Sequence, residues 1–151
     1  MIKSYKIPIS VLIVIYSKDL QVLLLHRKDK KNFWQSVTGS IEPNEAPKEA
    51  ALREVKEETA IDCLKYPLQD WNLSNEYEIF SHWRHRYAPG VTHNIEHVFG
   101  LEVPSDIKVK LSPREHTEYV WLDIAKAKEK VFSWTNKIAI EKLDEIKRYE
   151  R

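Results

Sequence analysis

The chain has 151 residues, enough to bury roughly 70% of its unfolded surface if it folds as one domain. At 42% hydrophobic and 31% charged residues with a formal net charge of +1, it reads as a soluble globular protein with no basic field to attract nucleic acid. Cys63 is the only cysteine, which excludes an internal disulfide and fits a reducing compartment.

In chain order, residues 7–16 (IPISVLIVIY) are rich in β-branched side chains and predict a central strand buried on both faces. The run is too short to span a bilayer and no small-residue cleavage site follows it, so a cytoplasmic location with no membrane partner is expected. Ser17, Lys18 and Asp19 predict a turn, residues 21–27 a second strand, and residues 29–32 a polar loop. Trp34 lies just beyond, as a packing residue or as an aromatic that stacks on a base.

Residues 39–61 (GSIEPNEAPKEAALREVKEETAI) organise the rest. Pro47 suits a first helical position, although Ala46 before it is a poor cap. Ala50, Ala51, Leu52 and Val55 supply an apolar stripe that packs while the glutamates face outward. Glu54, Glu57 and Glu58 stand at i, i+3 and i+4, on one face of such a helix. Like charges so placed repel, so a cation is expected among them. Hard divalent ions prefer oxygen donors and complete their shell with phosphate oxygens, and the stretch therefore points to metal-assisted phosphate chemistry.

Residues 62–74 carry little periodicity. Residues 77–87 and 92–103 read as two antiparallel strands joined by Pro89-Gly90, a dipeptide suited to a type II turn. On such a strand Arg84 and Arg86 share a face, while His82 and His85 point apart and make no common metal site. The six histidines are read as structural or supporting groups. Residues 119–122 predict a short strand, Asp123 a cap for a helix over 124–130, and residues 135–147 an amphipathic final helix.

Gly39, five residues, Glu45, seven residues, Arg53-Glu54-Val55-Lys56-Glu57-Glu58, one residue, then Ala60-Ile61 resembles the signature box of the Nudix hydrolase family. The family pattern has glycine where this chain has Ala60. The resemblance implies an α/β/α sandwich with a mixed, partly antiparallel sheet, formed by the whole chain as a single domain. It also implies Mg²⁺ bound by Glu54, Glu57 and Glu58, one of which helps to activate water, and an ion pair between Arg53 and Glu45 that orients loop and helix. Glu115, in the segment EHTEYVW, matches the position of a further metal-binding or water-activating glutamate, in preference to Glu118.

A triphosphate needs cations, and Lys6, Arg27, Arg84 and Arg86 are candidates, each equally readable as surface charge. Thr38 offers a hydroxyl or N–H to phosphate, or serves only the turn. Tyr77, Ile79 and Phe80 form either a wall for a flat heterocycle or part of the core. Ser133 either contacts ligand or caps the last helix. Residues 33–40, 80–92 and 132–134 resemble bacterial family members acting on dihydroneopterin triphosphate and dATP. That likeness implies release of pyrophosphate in an early step of folate synthesis. A dinucleoside polyphosphate hydrolase, suggested by Tyr77 sixteen residues beyond Ile61, and a nucleotide-sensing module without activity are the alternatives.

Overall fold

A computed structural model describes residues 4–150. Strand β1 (Ile9–Ser17) is buried along almost its whole length, as its unbroken apolar run predicts. It is central because three strands pair with it directly and the other three lie one strand away. β2 (Gln21–Arg27) and β4 (Val37–Ser40) pair with it antiparallel, and β6 (His93–Val103) pairs with it in parallel over nine residues. β3 (Trp34–Gln35) and β7 (His116–Asp123) add to β2, and β5 (Leu68–Glu78) adds antiparallel to β6.

Side-chain alternation along β1 divides the molecule into two cores. Val11, Ile13 and Ile15 pack with Ala50, Ala51 and Val55 of helix α1 (Pro47–Thr59). Leu12, Val14 and Tyr16 pack on the other face with Ala127 of α2 (Ile124–Lys130) and Ala139, Ile140 and Leu143 of α3 (Trp134–Tyr149). Each fully buried Leu, Ile or Val contributes roughly 1.5–3 kcal/mol relative to exposure. The result is the mixed α/β/α sandwich expected from the sequence.

Local chemistry explains the helix limits. Ala46 caps α1 without a side chain, and Glu49 Oε1 compensates by accepting the Ala46 N–H at 3.0 Å. At the other end Ala60 takes the left-handed conformation, φ 62° and ψ 15°, and its N–H reaches Lys56 O at 2.9 Å. The family glycine is thus replaced without loss of the turn, at about 1 kcal/mol of backbone strain. Asp123 caps α2 through Lys126 N–H at 2.8 Å, and Ser133 caps α3 through Asn136 N–H at 3.1 Å.

One sequence expectation fails. The strand expected over residues 77–87 is instead the end of β5 followed by a short 3₁₀ turn, Ser81–Arg86, with Trp83 N–H bonded to Phe80 O and Tyr87 N–H to Arg84 O. β5 itself begins in the stretch without periodicity. Its register shifts between Asp70 and Leu73, Asn72 adopts φ 52°, and the polar Asn75 occupies an inward position, so the alternation is masked. Arg84 and Arg86 therefore share no strand face, and His82 and His85 lie three apart on a 3₁₀ turn, where such residues eclipse rather than oppose one another. The Pro89-Gly90 turn does form: Gly90 has φ 88° and Val91 N–H meets Ala88 O at 3.1 Å.

Candidate active site

α1 carries its acidic side chains along the end of the sheet beside β4. Glu54 and Glu58, one turn apart, are buried, at 8% and 1% exposure, whereas Glu57 turns to solvent. Helical spacing alone put all three on one outward face; packing of the helix on β4 draws two of them inward. Gly39 makes this possible, since a Cβ there would collide with the Glu54 carboxylate. The glycine of the box is needed for close approach, not for its backbone angle.

Arg53 organises the loop before the helix. Its Nε and Nη2 donate to Glu45 at 2.8 Å each, Nη2 also reaches Ser40 O at 3.1 Å, and Nη1 donates to Glu54 Oε1 at 2.6 Å. Glu45 in turn accepts from Glu42 N–H at 2.9 Å. The expected Arg53–Glu45 pair is present, and surrounding carboxylates hold the guanidinium firmly protonated. Glu54 gains a cation partner in this way, but among the described residues Glu58 gains no lysine or arginine.

Glu58 is the anomalous group. Burial, then the adjoining Glu54 carboxylate, raises its pKa well above the carboxylate range. Its Oε2 is buried with no hydrogen-bond partner among the described residues. Glu115 ends the loop ahead of β7 and His116 begins that strand, and the three side chains bring ligand atoms within 4.8 Å of one another. His116 Nε2 lies 3.5 Å from Glu58 Oε1, yet burial, then the Arg27 charge, depresses its pKa to about 4. At neutral pH it is an uncharged imidazole, so this is no ion pair. A buried carboxylate with an orphaned oxygen, a second carboxylate and a neutral nitrogen fit a divalent cation. Glu115, rather than Glu118, is the glutamate brought to Glu58.

Facing the acids is a cluster of cations. Lys6, Arg27, Arg86 and Arg114 line the same cleft, of about 810 Å³, as Glu54, Glu58, Glu115 and Thr38. Burial, then repulsion from Arg86 and Arg27, lowers the Lys6 pKa. Like charges held this close call for a polyanion between them. Arg84, in contrast, is engaged elsewhere: it donates to Ile79 O at 3.0 Å and pairs with Glu78, outside the cleft.

A second cavity, of about 210 Å³, opens on the α3 face of the sheet. Tyr77, Ile79, Phe80 and Ser133 line it, together with Phe33, Trp83, Phe132 and Glu96. Phe33 stacks on Phe132 with ring centres 4.4 Å apart, and Phe80 meets Trp83 edge-on at 5.4 Å. The amide of Asn136 accepts from Ser36 N–H at 2.8 Å and donates to Ser36 Oγ at 2.9 Å, tying α3 to the β3–β4 junction. Arg27, Gln35 and Thr38 line both cavities. The aromatic pocket and the charged cleft are therefore neighbouring compartments joined across the end of the sheet.

Sequence reasoning missed Trp83, Phe132, Gln35, Arg114 and Glu96. Phe132 and Trp83 lie in stretches already distinctive by resemblance. Glu96 had its own signal: residues 94, 96 and 98 alternate inward on β6, and a glutamate at an inward position is exceptional.

Residues 6–143 match the NUDIX domain, and the chain belongs to the Nudix family. It is similar to the dihydroneopterin triphosphate diphosphatase of Escherichia coli K12, 49% identical over 92% of this chain and 93% of the relative. The enzyme of the same name from Haemophilus influenzae is 46% identical, over 92% and 89% of the two chains. The solved structure of the E. coli dihydroneopterin triphosphate pyrophosphohydrolase superposes with a TM-score of 0.86 at 49% identity, covering 92% of this chain and 96% of that one.

Proposed function

We propose that the chain works as one Nudix domain that hydrolyses dihydroneopterin triphosphate to the monophosphate and pyrophosphate, with Mg²⁺, in the cytoplasm. Its role would be an early step of folate synthesis, on a small-molecule substrate, without nucleic acid or membrane. The observation that carries the proposal is the junction at Arg27, Gln35 and Thr38, where an aromatic pocket for a flat heterocycle meets a cleft of acids and cations. A substrate with a ring at one end and a triphosphate at the other fits that division. The 49% identity to relatives of that name agrees with it.

Each group has a task in this reading. Glu54 and Glu58 would hold Mg²⁺ from the buried side, and the exposed Glu57 and Glu115 from the rim. Bound there, Mg²⁺ supplies neutralisation of phosphate charge and a more acidic water. One of these carboxylates accepts the proton of the attacking water. Lys6, Arg27, Arg86 and Arg114 hold the charge of the departing pyrophosphate, and Thr38 lies where it meets the phosphate chain. Arg53 touches no substrate; it fixes the glutamates and their loop. Tyr77, Phe80 and Ser133 border the ring.

The test is a side-by-side assay with Mg²⁺ on dihydroneopterin triphosphate, dATP and diadenosine tetraphosphate, separating pyrophosphate from orthophosphate. Pyrophosphate release with the highest kcat/KM on the pterin is expected. Higher kcat/KM on dATP would replace folate synthesis with control of the nucleotide pool. Tight binding without turnover of any of the three would leave a nucleotide sensor.

A further inference from the structure

The aromatic pocket contains one group that hydrophobic packing does not explain. Glu96 projects from β6 among Leu12, Tyr77 and Asn136 in the lining of the cavity, and is only 5% exposed. Among the described residues no cation pairs with it, and its Oε1 is buried without a hydrogen-bond partner. The Thr135 side chain is a hydrogen-bonding neighbour. An ionisable group buried in this manner is unfavourable unless something else satisfies it. Neighbouring polar groups are already committed: Asn94 donates to Ser10 Oγ at 2.7 Å and to Tyr77 OH at 3.1 Å, and Asn136 is held by Ser36.

We infer that Glu96 reads the edge of the bound heterocycle, accepting two parallel N–H bonds from an amino group and the adjacent ring N–H. The inference rests on the substrate reading above. A 2-amino-4-oxo pterin presents such an edge, in effect a cyclic guanidine, and a carboxylate accepts from a guanidine fork with two matched bonds. Guanine carries the same edge. Adenine does not, since its amino group sits beside a ring nitrogen that is an acceptor. Aromatic walls such as Phe80, Trp83 and Phe132 stack on any flat ring and are tolerant of its identity. Discrimination therefore falls to the polar groups in the lining, of which Glu96 is the buried carboxylate with an unpaired oxygen, and a site built around buried hydrogen-bond partners rejects analogues that lack them.

The state of the carboxyl agrees with this assignment. Burial pushes its pKa up to about 7, so two N–H donors arriving with the ring stabilise the ionised form it then needs. Glutamine at this position keeps the volume but offers one acceptor and one donor. Its N–H₂ would face a ring N–H of a pterin or guanine and conflict with it, whereas it matches adenine.

The experiment compares wild-type protein and Glu96→Gln, with Mg²⁺, on dihydroneopterin triphosphate, dGTP, dITP and dATP. In the wild type, loss of the 2-amino group from dGTP to dITP is expected to lower kcat/KM about tenfold or more. In Glu96→Gln that dGTP-to-dITP ratio should collapse towards one, and the pterin-to-dATP ratio should fall about thirtyfold. Equal wild-type kcat/KM on dGTP and dITP would overturn the inference, as would a uniform loss on all four substrates in the variant. A variant that fails a thermal-melting check leaves the wild-type dGTP-to-dITP comparison to decide. Wild-type protein that ignores the pterin but prefers dGTP to dITP would remove the proposed substrate and uphold Glu96.

Discussion

The charged cleft and the aromatic pocket meet at Arg27, Gln35 and Thr38 but are built in opposite ways. In the cleft, Gly39, Glu45, Arg53, Glu54 and Glu58 lie within twenty residues, and helix spacing with one ion-pair network sets their geometry. In the pocket, Phe33, Tyr77, Trp83, Glu96 and Phe132 come from separate segments that only the folded sheet and α3 bring together. In the cleft Arg53 pairs with Glu45 and Glu54 and leaves Glu58 over. The pocket carries one buried carboxylate, Glu96, among rings. Phosphate hydrolysis needs a dense local cluster, whereas choosing a heterocycle needs a shaped wall with one polar reader. The two can thus change independently.

The comparison breaks first at the cleft. Glu58→Gln should lower kcat about 10³-fold, the scale of a lost general base, with the melting temperature maintained because a buried charge is removed. Unchanged Mg²⁺-dependent kinetics would dismiss the cleft as the reactive site. The next effect belongs to the pocket and concerns pH. Glu96, raised to about 7 from 4.5, contributes stability that is fully present below pH 4.5 and lost as pH rises through 7. His116, lowered to about 4 from 6.5, works in the reverse sense, adding stability as pH rises from 4 to 6.5, so the two nearly cancel in the wild type. Glu96→Gln removes only the first. Between pH 4.5 and 7 it should gain about 3 kcal/mol relative to the wild type, read by urea unfolding without metal.

Smaller effects sharpen the contrast. Gly39→Ala forces Glu54 aside and should cost about 10²-fold in kcat/KM, the scale of a 1 Å misplacement; a crystal structure of the variant would locate the carboxylate. Trp83→Ala should act chiefly on KM, raising it about tenfold through lost stacking. If steady-state kinetics instead assigned the loss to kcat, pocket and cleft would not be separable. Least of all, Ala60→Gly relieves a left-handed alanine but loosens the unfolded chain, for a net gain of about 0.5 kcal/mol. Calorimetry should find a rise of about 1–2 °C.

Much of this was legible in advance. Helix α1, the two-sided burial of β1 and the Asp123 cap follow from short-range rules, whereas the Arg53–Glu45 pair and the approach of Glu115 to Glu58 were implied by the family resemblance. Where expectation failed, long-range packing overrode local pattern: residues 81–86 are aromatic and basic enough to read as strand, yet the Pro89-Gly90 turn and the pairing of Ile79 N–H with Thr92 O close the ladder before them. Arg84 went with that turn and left the cleft. Glu57 stayed outside because the helix turns Glu54 and Glu58, one turn apart, toward the sheet.

The sequence by itself determined the reactive chemistry, because residues one helical turn apart share a face in whatever fold holds the helix. Only the tertiary structure decided which of those carboxylates is buried and unpaired, and which ring-sized cavity opens beside them. Those properties depend on desolvation and on the meeting of distant segments, and neither is encoded in spacing along the chain.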